Sequence, residues 1–434
     1  MDKMADVLGR AGAWCGQNKY LSAIKNAFQN FMPLTIAGAI GVLWCNVLVN
    51  ETTGLGMFFK PIMALDFLNP AFQAVNFCTI SCITVGITLG IAQEIGIWNM
   101  GAEKAGYIPG LVGLAAWLSV TNTSHMVDGA KEAFTGIAGN ELGATGLFTG
   151  MIIGVLSVEL FCFFEKQDAL KIKMPEQVPP GVARAFEVLV PATITLIITA
   201  CIGSACYNLT GLYLNDVIKN GIQGPLGAVG ATIPGVMIIY LVIMLFWLVG
   251  IHGNNMLSAV KEALFTPLAL ENVEAFNKRE TPKNIINMYA LQMWGEFGGS
   301  GVTIGLVIAI MIFGKREDNK AIATLSLVPG LFNINETVTF GIPMVLNPIL
   351  GIPFVFACLV TILVGYVLTV IGFCPVACLT VPWTTPPIVF GFLACGANVM
   401  GAVTQAILIV VSTVIYTPFL ISYEKYQNKQ AAEA

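Results

Sequence analysis

The sequence predicts an all-α integral membrane protein of about ten transmembrane helices with re-entrant hairpins among them. Three observations carry that reading. Hydrophobic residues make up 56% of the 434-residue chain and charged residues 11%, against roughly 25% charged in a soluble protein. A water-soluble fold of this length would lack the charge to cover its surface. The apolar residues fall in blocks of about twenty, long enough to cross a hydrocarbon core of about 30 Å as helices. Two further apolar stretches, 321–350 and 374–395, are interrupted by Gly, Pro and Asn. Such backbone is tolerated at membrane depth only where protein or a wet cavity satisfies it, so both read as re-entrant hairpins.

The spans are expected at 28–49, 72–93, 144–164, 187–208, 225–250, 297–314, 351–373 and 397–422, with a shorter one at 105–120. Positive residues gather in four places: Lys3, Arg10, Lys19 and Lys25 before the first span; Lys166, Lys171, Lys173 and Arg184 in a central loop; Lys315, Arg316 and Lys320; and Lys425 and Lys429 after the last span. The bias of Lys and Arg towards the cytosolic side places all four, and both termini, in the cytosol. Parity then requires one further crossing between 251 and 296, in the polar or broken stretches 255–270 or 284–294. The first twenty residues, with Asp2, Asp6 and Lys19 around a weakly apolar middle, do not resemble a cleavable signal and read as a cytosolic amphipathic helix. The central loop at 165–186, with Pro175, Pro179 and Pro180, divides an amino-terminal half, 1–186, from a carboxyl-terminal half, 187–434, that carries the polar motifs.

The net charge of −4 is spread over both signs without a long single-sign run, which points away from nucleic acid as a partner. Ten of the eleven cysteines lie in or beside apolar runs, and there is no CxxC pattern and only two histidines. Packed thiols are the expectation, with neither a metal site nor a cofactor. No GxxxxGK[ST] loop occurs, so the chain does not hydrolyse a nucleotide by the P-loop route. Its energy comes from an ion gradient or from a partner.

A titratable side chain within the apolar region is costly and so a functional candidate. His252 lies in Gly250-Ile251-His252-Gly253-Asn254-Asn255, after a long apolar helix containing Trp247. An interfacial imidazole bonded to a carbonyl is the plainer reading; the flanking glycines and paired asparagines favour a site. Glu336 lies in Asn333-Ile334-Asn335-Glu336-Thr337 with no basic residue within ten positions. Its carboxylate can accept hydroxyls of a polar solute or act as a base, or it can cap a helix. Glu296 precedes Gly298-Gly299-Ser300-Gly301, whose backbone N–H groups could meet ligand oxygens or whose glycines could serve close helix packing. Trp383, in Val381-Pro382-Trp383-Thr384-Thr385-Pro386-Pro387, is either a stacking face for a sugar or an interfacial anchor. Asn76, Glu94 and Glu159 read as structural.

Four ordered motifs resemble a family. They are Gly250-Ile251-His252-Gly253; Gly298-Gly299-Ser300-Gly301; Asn335-Glu336 followed by Phe340-Gly341-Ile342-Pro343-Met344-Val345-Leu346-Asn347-Pro348; and Val381-Pro382-Trp383-Thr384-Thr385-Pro386. Together they resemble enzyme IIC, the membrane subunit of bacterial sugar phosphotransferase systems, in its lactose/cellobiose/chitobiose branch. The likeness covers essentially the whole chain. It implies a homodimer in the bacterial cytoplasmic membrane that binds a disaccharide outside, moves it across, and presents it to a cytosolic IIB phosphocarrier whose phosphocysteine phosphorylates it. It implies that Glu336 binds the acceptor hydroxyl with His252 beside it, and that Trp383 lines the same cavity. Asn254, Asn335, Gly299, Ser300 and Glu296 are expected around the substrate. The family commonly has proline after the glutamate where this chain has Thr337, a departure that bears on local backbone geometry, and Glu296 is not a residue the family leads one to expect. About a dozen residues follow the last span, so the IIB partner is expected as a separate polypeptide. The competing expectation is an ion-coupled secondary transporter with Glu336 and His252 as a proton relay.

Overall fold

The computed structural model describes residues 10, 14, 17–51, 55–125, 134–175, 177–225, 230–342, 344–345 and 347–433. The described residues are mostly helical, with one two-stranded ribbon among them, Ser124–His125 paired with Phe134–Thr135. Five helical stretches among the described residues are long and apolar enough to cross a membrane: Lys19–Leu48, Ala144–Glu165, Pro180–Thr210, Gly351–Val370 and Val399–Gln430. Two more form bent pairs, Lys60–Ser81 with Ile83–Met100 at 42° and Met288–Val302 with Ile304–Phe313 at 59°. Ile108–Val120 and Ile233–Leu248 are apolar but shorter.

Most expected spans therefore exist, with shifted edges. The first helix begins at Lys19 rather than 28, and the partly exposed Lys19 ammonium pairs with Glu159 at 2.6 Å. The helix after the central loop begins at Pro180, where proline's fixed φ suits a first turn, so the loop is shorter than 165–186. Most of the stretch 255–270 falls within a 20-residue helix, Ser258–Asn277, whose Lys261, Glu262, Glu271 and Glu274 hide it from a hydropathy scan. The stretch 284–294 instead enters the second bent pair. The amino-terminal amphipathic helix falls mostly outside the described residues.

Packing groups the chain into two units. One comprises Gln17–Gly38 and Ala74–Gly227. Its helices are α1 (Lys19–Leu43, in part), α2 (Ile83–Met100), α3 (Ile108–Val120), α4 (Ala144–Glu165) and α5 (Pro180–Thr210). They meet through small residues: a Cβ on Gly113 would stand 2.3 Å from that of Ala92, and one on Gly150 2.2 Å from the Thr88 hydroxyl. Without a hydrophobic drive between helices in lipid, such close approach supplies the dispersion that holds them. Ala116, Trp117, Val120 and Ile153 form a buried cluster. At one end of the unit, buried Glu165 bonds Lys104 at 2.8 Å and Arg184 at 3.0 Å. There the end of α4, the start of α5 and the turn after α2 meet. Glu94 accepts from Asn26 at 2.9 Å, the structural role expected of it.

The other unit comprises Met1–Gly16, Ala39–Gln73 and Ala228–Ala434. It contains α6 (Ile233–Leu248), α7 (Ser258–Asn277), α8 (Met288–Gly295), α9 (Ile304–Phe313), α10 (Glu317–Leu331), α11 (Glu336–Gly341), α12 (Gly351–Val370), α13 (Val389–Ala394) and α14 (Val399–Glu433). The stretch 321–350 holds the end of α10, a break and the six-residue α11. Residues 374–388 are non-helical and lead into α13. Both are interrupted as the sequence suggests. Buried Glu424 near the end of α14 accepts the amides of Lys315 at 2.8 Å and Arg316 at 3.3 Å and the side chain of Asn319 at 3.1 Å. The Lys315 cluster and the end of the last helix thus share one end of this unit.

Small-residue packing yields a prediction. Gly113→Leu, forced against Ala92, should lower the thermal unfolding midpoint of detergent-solubilised protein by several degrees, an overpacking cost of about 1–3 kcal/mol. Gly139→Ala, whose Cβ meets nothing within 4 Å, should leave it in place; equal effects would mean that the contact does not limit stability.

Candidate functional site

The candidate residues converge within the unit that contains α6 to α14. α6 ends at Leu248, and after Gly250 (φ +80°) the chain turns into His252, which caps the short helix Gly253–Met256. The His252 Nδ1 accepts the amide of Asn255 at 3.2 Å. A ring nitrogen that accepts cannot carry the proton, so the neutral imidazole has its hydrogen on Nε2. That nitrogen lies 3.9 Å from the Glu336 carboxylate. Trp247 packs on the imidazole with ring centroids 4.4 Å apart and on Phe354 at 6.5 Å, which fixes the ring plane.

The bend between α8 and α9 is made by Gly298, Gly299 and Gly301 at φ of +68°, +88° and +75°, values that a β-carbon disfavours. The freed backbone is met from inside. The Gly298 amide donates to Asn333 Oδ1 at 2.6 Å, Asn335 Nδ2 donates to the Ser300 carbonyl at 2.7 Å, and Thr303 donates to the Gly298 carbonyl at 2.7 Å. Tyr416 donates to Gly301 O at 2.7 Å and Ser412 to Val302 O at 2.8 Å. A Cβ on Gly299 would sit 2.5 Å from the Asn335 side chain. Close approach is therefore what these glycines provide here, and the amides of Gly298 and Gly299 have internal partners.

Asn254 Nδ2 donates to Ser300 Oγ at 3.1 Å, which ties the histidine turn to the glycine bend. Gly299, Ser300 and Asn335 are buried, with Asn335 bonded to Ser300 and close against Gly299. His252 and Glu336 keep 39% and 48% side-chain exposure. Glu336 opens α11, directly after the pinned Asn335. Asn333, at φ +62°, also donates to the carbonyls of Trp383 and Thr385. The half-exposed Trp383 is thereby anchored to the same loop that presents Glu336. Glu296 Oε1 accepts from Tyr240 at 2.7 Å and from Lys261.

Sequence reasoning passed over Asn333, Lys261 and Tyr240. Asn333 stands in a quoted motif, and a lone lysine in the stretch expected to hide a crossing was the available signal for Lys261. No group of three or more His, Cys, Asp or Glu suited to a metal occurs among the described residues.

Two side-chain groups held 3.9 Å apart, one an N–H donor and one an acceptor, can bracket a single hydroxyl at about 2.8 Å from each. Comparison with known proteins shows the family. The sequence model of the family described as "Phosphotransferase system, EIIC" matches residues 25–358. The chain is 32% identical to the PTS system oligo-beta-mannoside-specific EIIC component of Bacillus subtilis, over 98% of this chain and 94% of that protein. It is 29% identical to the PTS system cellobiose-specific EIIC component of Lactococcus lactis, over 98% of each. Among solved structures it is similar to the transporter ChbC, the IIC component of the N,N'-diacetylchitobiose-specific phosphotransferase system, with a TM-score of 0.88, 29% identity and 97% of each chain covered.

The role of Asn333 is testable. Asn333→Ala removes one acceptor and a branching donor and leaves the Gly298 amide unmet, which should cost about 2 kcal/mol. Thermal unfolding would register it, together with weaker ligand binding; unaltered values of both would show that the bridge contributes nothing.

Proposed function

The chain belongs to the EIIC family of the phosphotransferase system and is a sugar permease working with a IIB phosphocarrier as phosphoryl donor, and from that premise we propose that it carries a disaccharide held at Glu336 and His252. The supporting observation is the His252 Nε2 to Glu336 distance of 3.9 Å. The acceptor hydroxyl sits between the two, receiving the Nε2 hydrogen bond and donating to the carboxylate. When the hydroxyl oxygen bonds to phosphorus and the bond from phosphorus to the donor breaks, the hydroxyl proton passes to Glu336. Positioning supplies much of such catalysis, because little covalent chemistry is asked of the protein. His252 donates throughout, so the base is Glu336. Trp383 offers its indole to a sugar ring, with Asn254 and Glu296 nearby and Asn335, Gly299 and Ser300 as frame. The family assignment decides against the ion-coupled alternative.

Orientation follows from charge. With both termini cytosolic, Lys19, the turn holding Lys104 and the central loop belong on one side, as does the Lys315 cluster with the end of α14. Glu159 and Glu165 hold the first group together within its unit, and Glu424 holds the second within its own; the cytosolic side is assigned by charge alone. The chain works as a homodimer whose amino-terminal part scaffolds while the carboxyl-terminal part shifts as a body with its hairpins around the sugar. The packing of α5 with α3 and α4 favours counting that helix, up to about residue 227, with the scaffold, while residues 39–73 group with the transport part.

Glu336→Gln should lower sugar phosphate formation in vesicles supplied with phosphorylated IIB by about 10²–10⁴-fold while insertion and dimerisation persist. His252→Ala should weaken uptake at low sugar concentration without lowering expression. Full phosphorylation by the Gln variant would remove Glu336 from the mechanism. Cysteine cross-links between subunits within the scaffold should leave transport running, whereas cross-links joining scaffold to transport part should stop it. Undiminished uptake in the second case would contradict rigid-body movement.

A further inference from the structure

We propose that Lys261 is a positioning residue for the sugar site, acting through Glu296, which thereby becomes a second, fixed acceptor for a sugar hydroxyl. The inference rests on reading the His252 and Glu336 neighbourhood as that site.

Lys261 stands in α7 with 6% exposure. A buried ammonium is tolerated only with a partner, and its partner is Glu296, 35 residues away. Both donors to Glu296 meet one oxygen. Tyr240 donates its hydroxyl to Oε1 at 2.7 Å, Lys261 donates to the same Oε1, and the ammonium also lies 5.5 Å from the centre of the Tyr240 ring. Oε2 receives no hydrogen bond from the described residues. It is not sealed either, since it is absent from the buried unpartnered atoms and the Glu296 side chain keeps 17% exposure where Lys261 keeps 7%. A carboxylate whose inner oxygen is fixed by an ammonium and a phenol has its plane fixed too. Its outer oxygen is an acceptor that needs no further ordering when a ligand arrives, which is where preorganisation gains affinity.

The elements that hold this acceptor are the ones that hold the reacting pair. Tyr240 lies two turns before Trp247 on α6, and Trp247 packs on His252. Glu296 closes α8 two residues before Gly298, whose amide is held by Asn333. Lys261 and Glu296 are both within electrostatic range of His252. The ion pair adds no net charge of its own; Glu262, beside Lys261 and bonded to the Thr266 hydroxyl, and Glu336 are the neighbouring carboxylates without a lysine or arginine partner among the described residues. Two acceptors on separate elements would engage two hydroxyls of one sugar.

The test uses purified full-length protein and whichever of cellobiose, lactose or N,N'-diacetylchitobiose binds it in a radiolabel screen. Lys261→Met alone strands a carboxylate, so the decisive variant is Lys261→Met with Glu296→Gln, which removes both charges and keeps the shape. We expect it to fold with a near-normal thermal midpoint yet to bind at least about tenfold more weakly, the loss of one hydrogen bond to a charged group, with the loss falling on KM more than on kcat. Lys261→Arg should retain affinity. Recovery of both stability and affinity in the double variant would make the pair purely structural and overturn the proposal. Should the double variant fail to fold, Tyr240→Phe, which leaves the charges in place, decides: weaker binding supports the proposal and unaltered binding overturns it. If the unaltered protein binds none of the three sugars, the sugar-site reading itself fails, and this inference with it.

Discussion

The structure of the site depends on satisfying a broken backbone away from water. At the bend of Gly298 to Gly301, helical hydrogen bonds are lost, and lipid can replace none of them. Each buried polar group left unmet would cost about 1–3 kcal/mol. Asn333, Asn335, Thr303, Ser412 and Tyr416 meet them instead. Two of these five flank the loop before Glu336, and two come from α14. The bond that repairs the bend is thus also the bond that places the carboxylate. The helix break and the Glu336 carboxylate share one set of partners, so the two are positioned together.

Thr337 follows from the same geometry. Glu336 is the first residue of α11 and Thr337 the second, in a first turn whose N–H groups have no intrahelical partner. Proline is favoured there because it loses no bond. Threonine at that point keeps the same path without preorganising it, and its side chain is exposed. With threonine here, the placement of the carboxylate rests on the neighbouring Asn335 and Asn333, which are pinned to the glycine bend.

Much of this was legible in the sequence, and the remainder was not for definite reasons. Composition and block length give an all-α membrane protein, and interrupted apolar runs mark where helices break. Edges were misplaced where a charge is paired internally: Lys19 reads as part of a separate amphipathic helix before the first span until Glu159, far along the chain, is seen to hold it. α7 was hidden for a related cause, since Lys261 lowers its apolarity and only Glu296 makes that tolerable. Motif residues such as His252, Asn254 and Glu336 were legible because local glycine and asparagine patterns mark them. Tyr240 lies 56 residues from Glu296 in an uninterrupted apolar helix, and nothing local distinguishes it from a packing tyrosine.

The two carboxylates of the site differ chiefly in access, and access sorts their roles. Glu296 is recessed, with 17% of its side chain exposed, and is held by a lysine. Glu336 keeps 48% and faces an imidazole that approaches without closing on it. A phosphoryl group carried by another protein must reach the acceptor hydroxyl in line, and the approach is open only where the hydroxyl's partner is itself open. Binding can be recessed; transfer cannot. The recessed, charge-paired carboxylate therefore suits recognition and the open one suits reaction. The unpaired carboxylate also explains why the break must be repaired so fully: an exposed charge keeps its cavity wet, and water admitted there would compete for any backbone group the asparagines had left free.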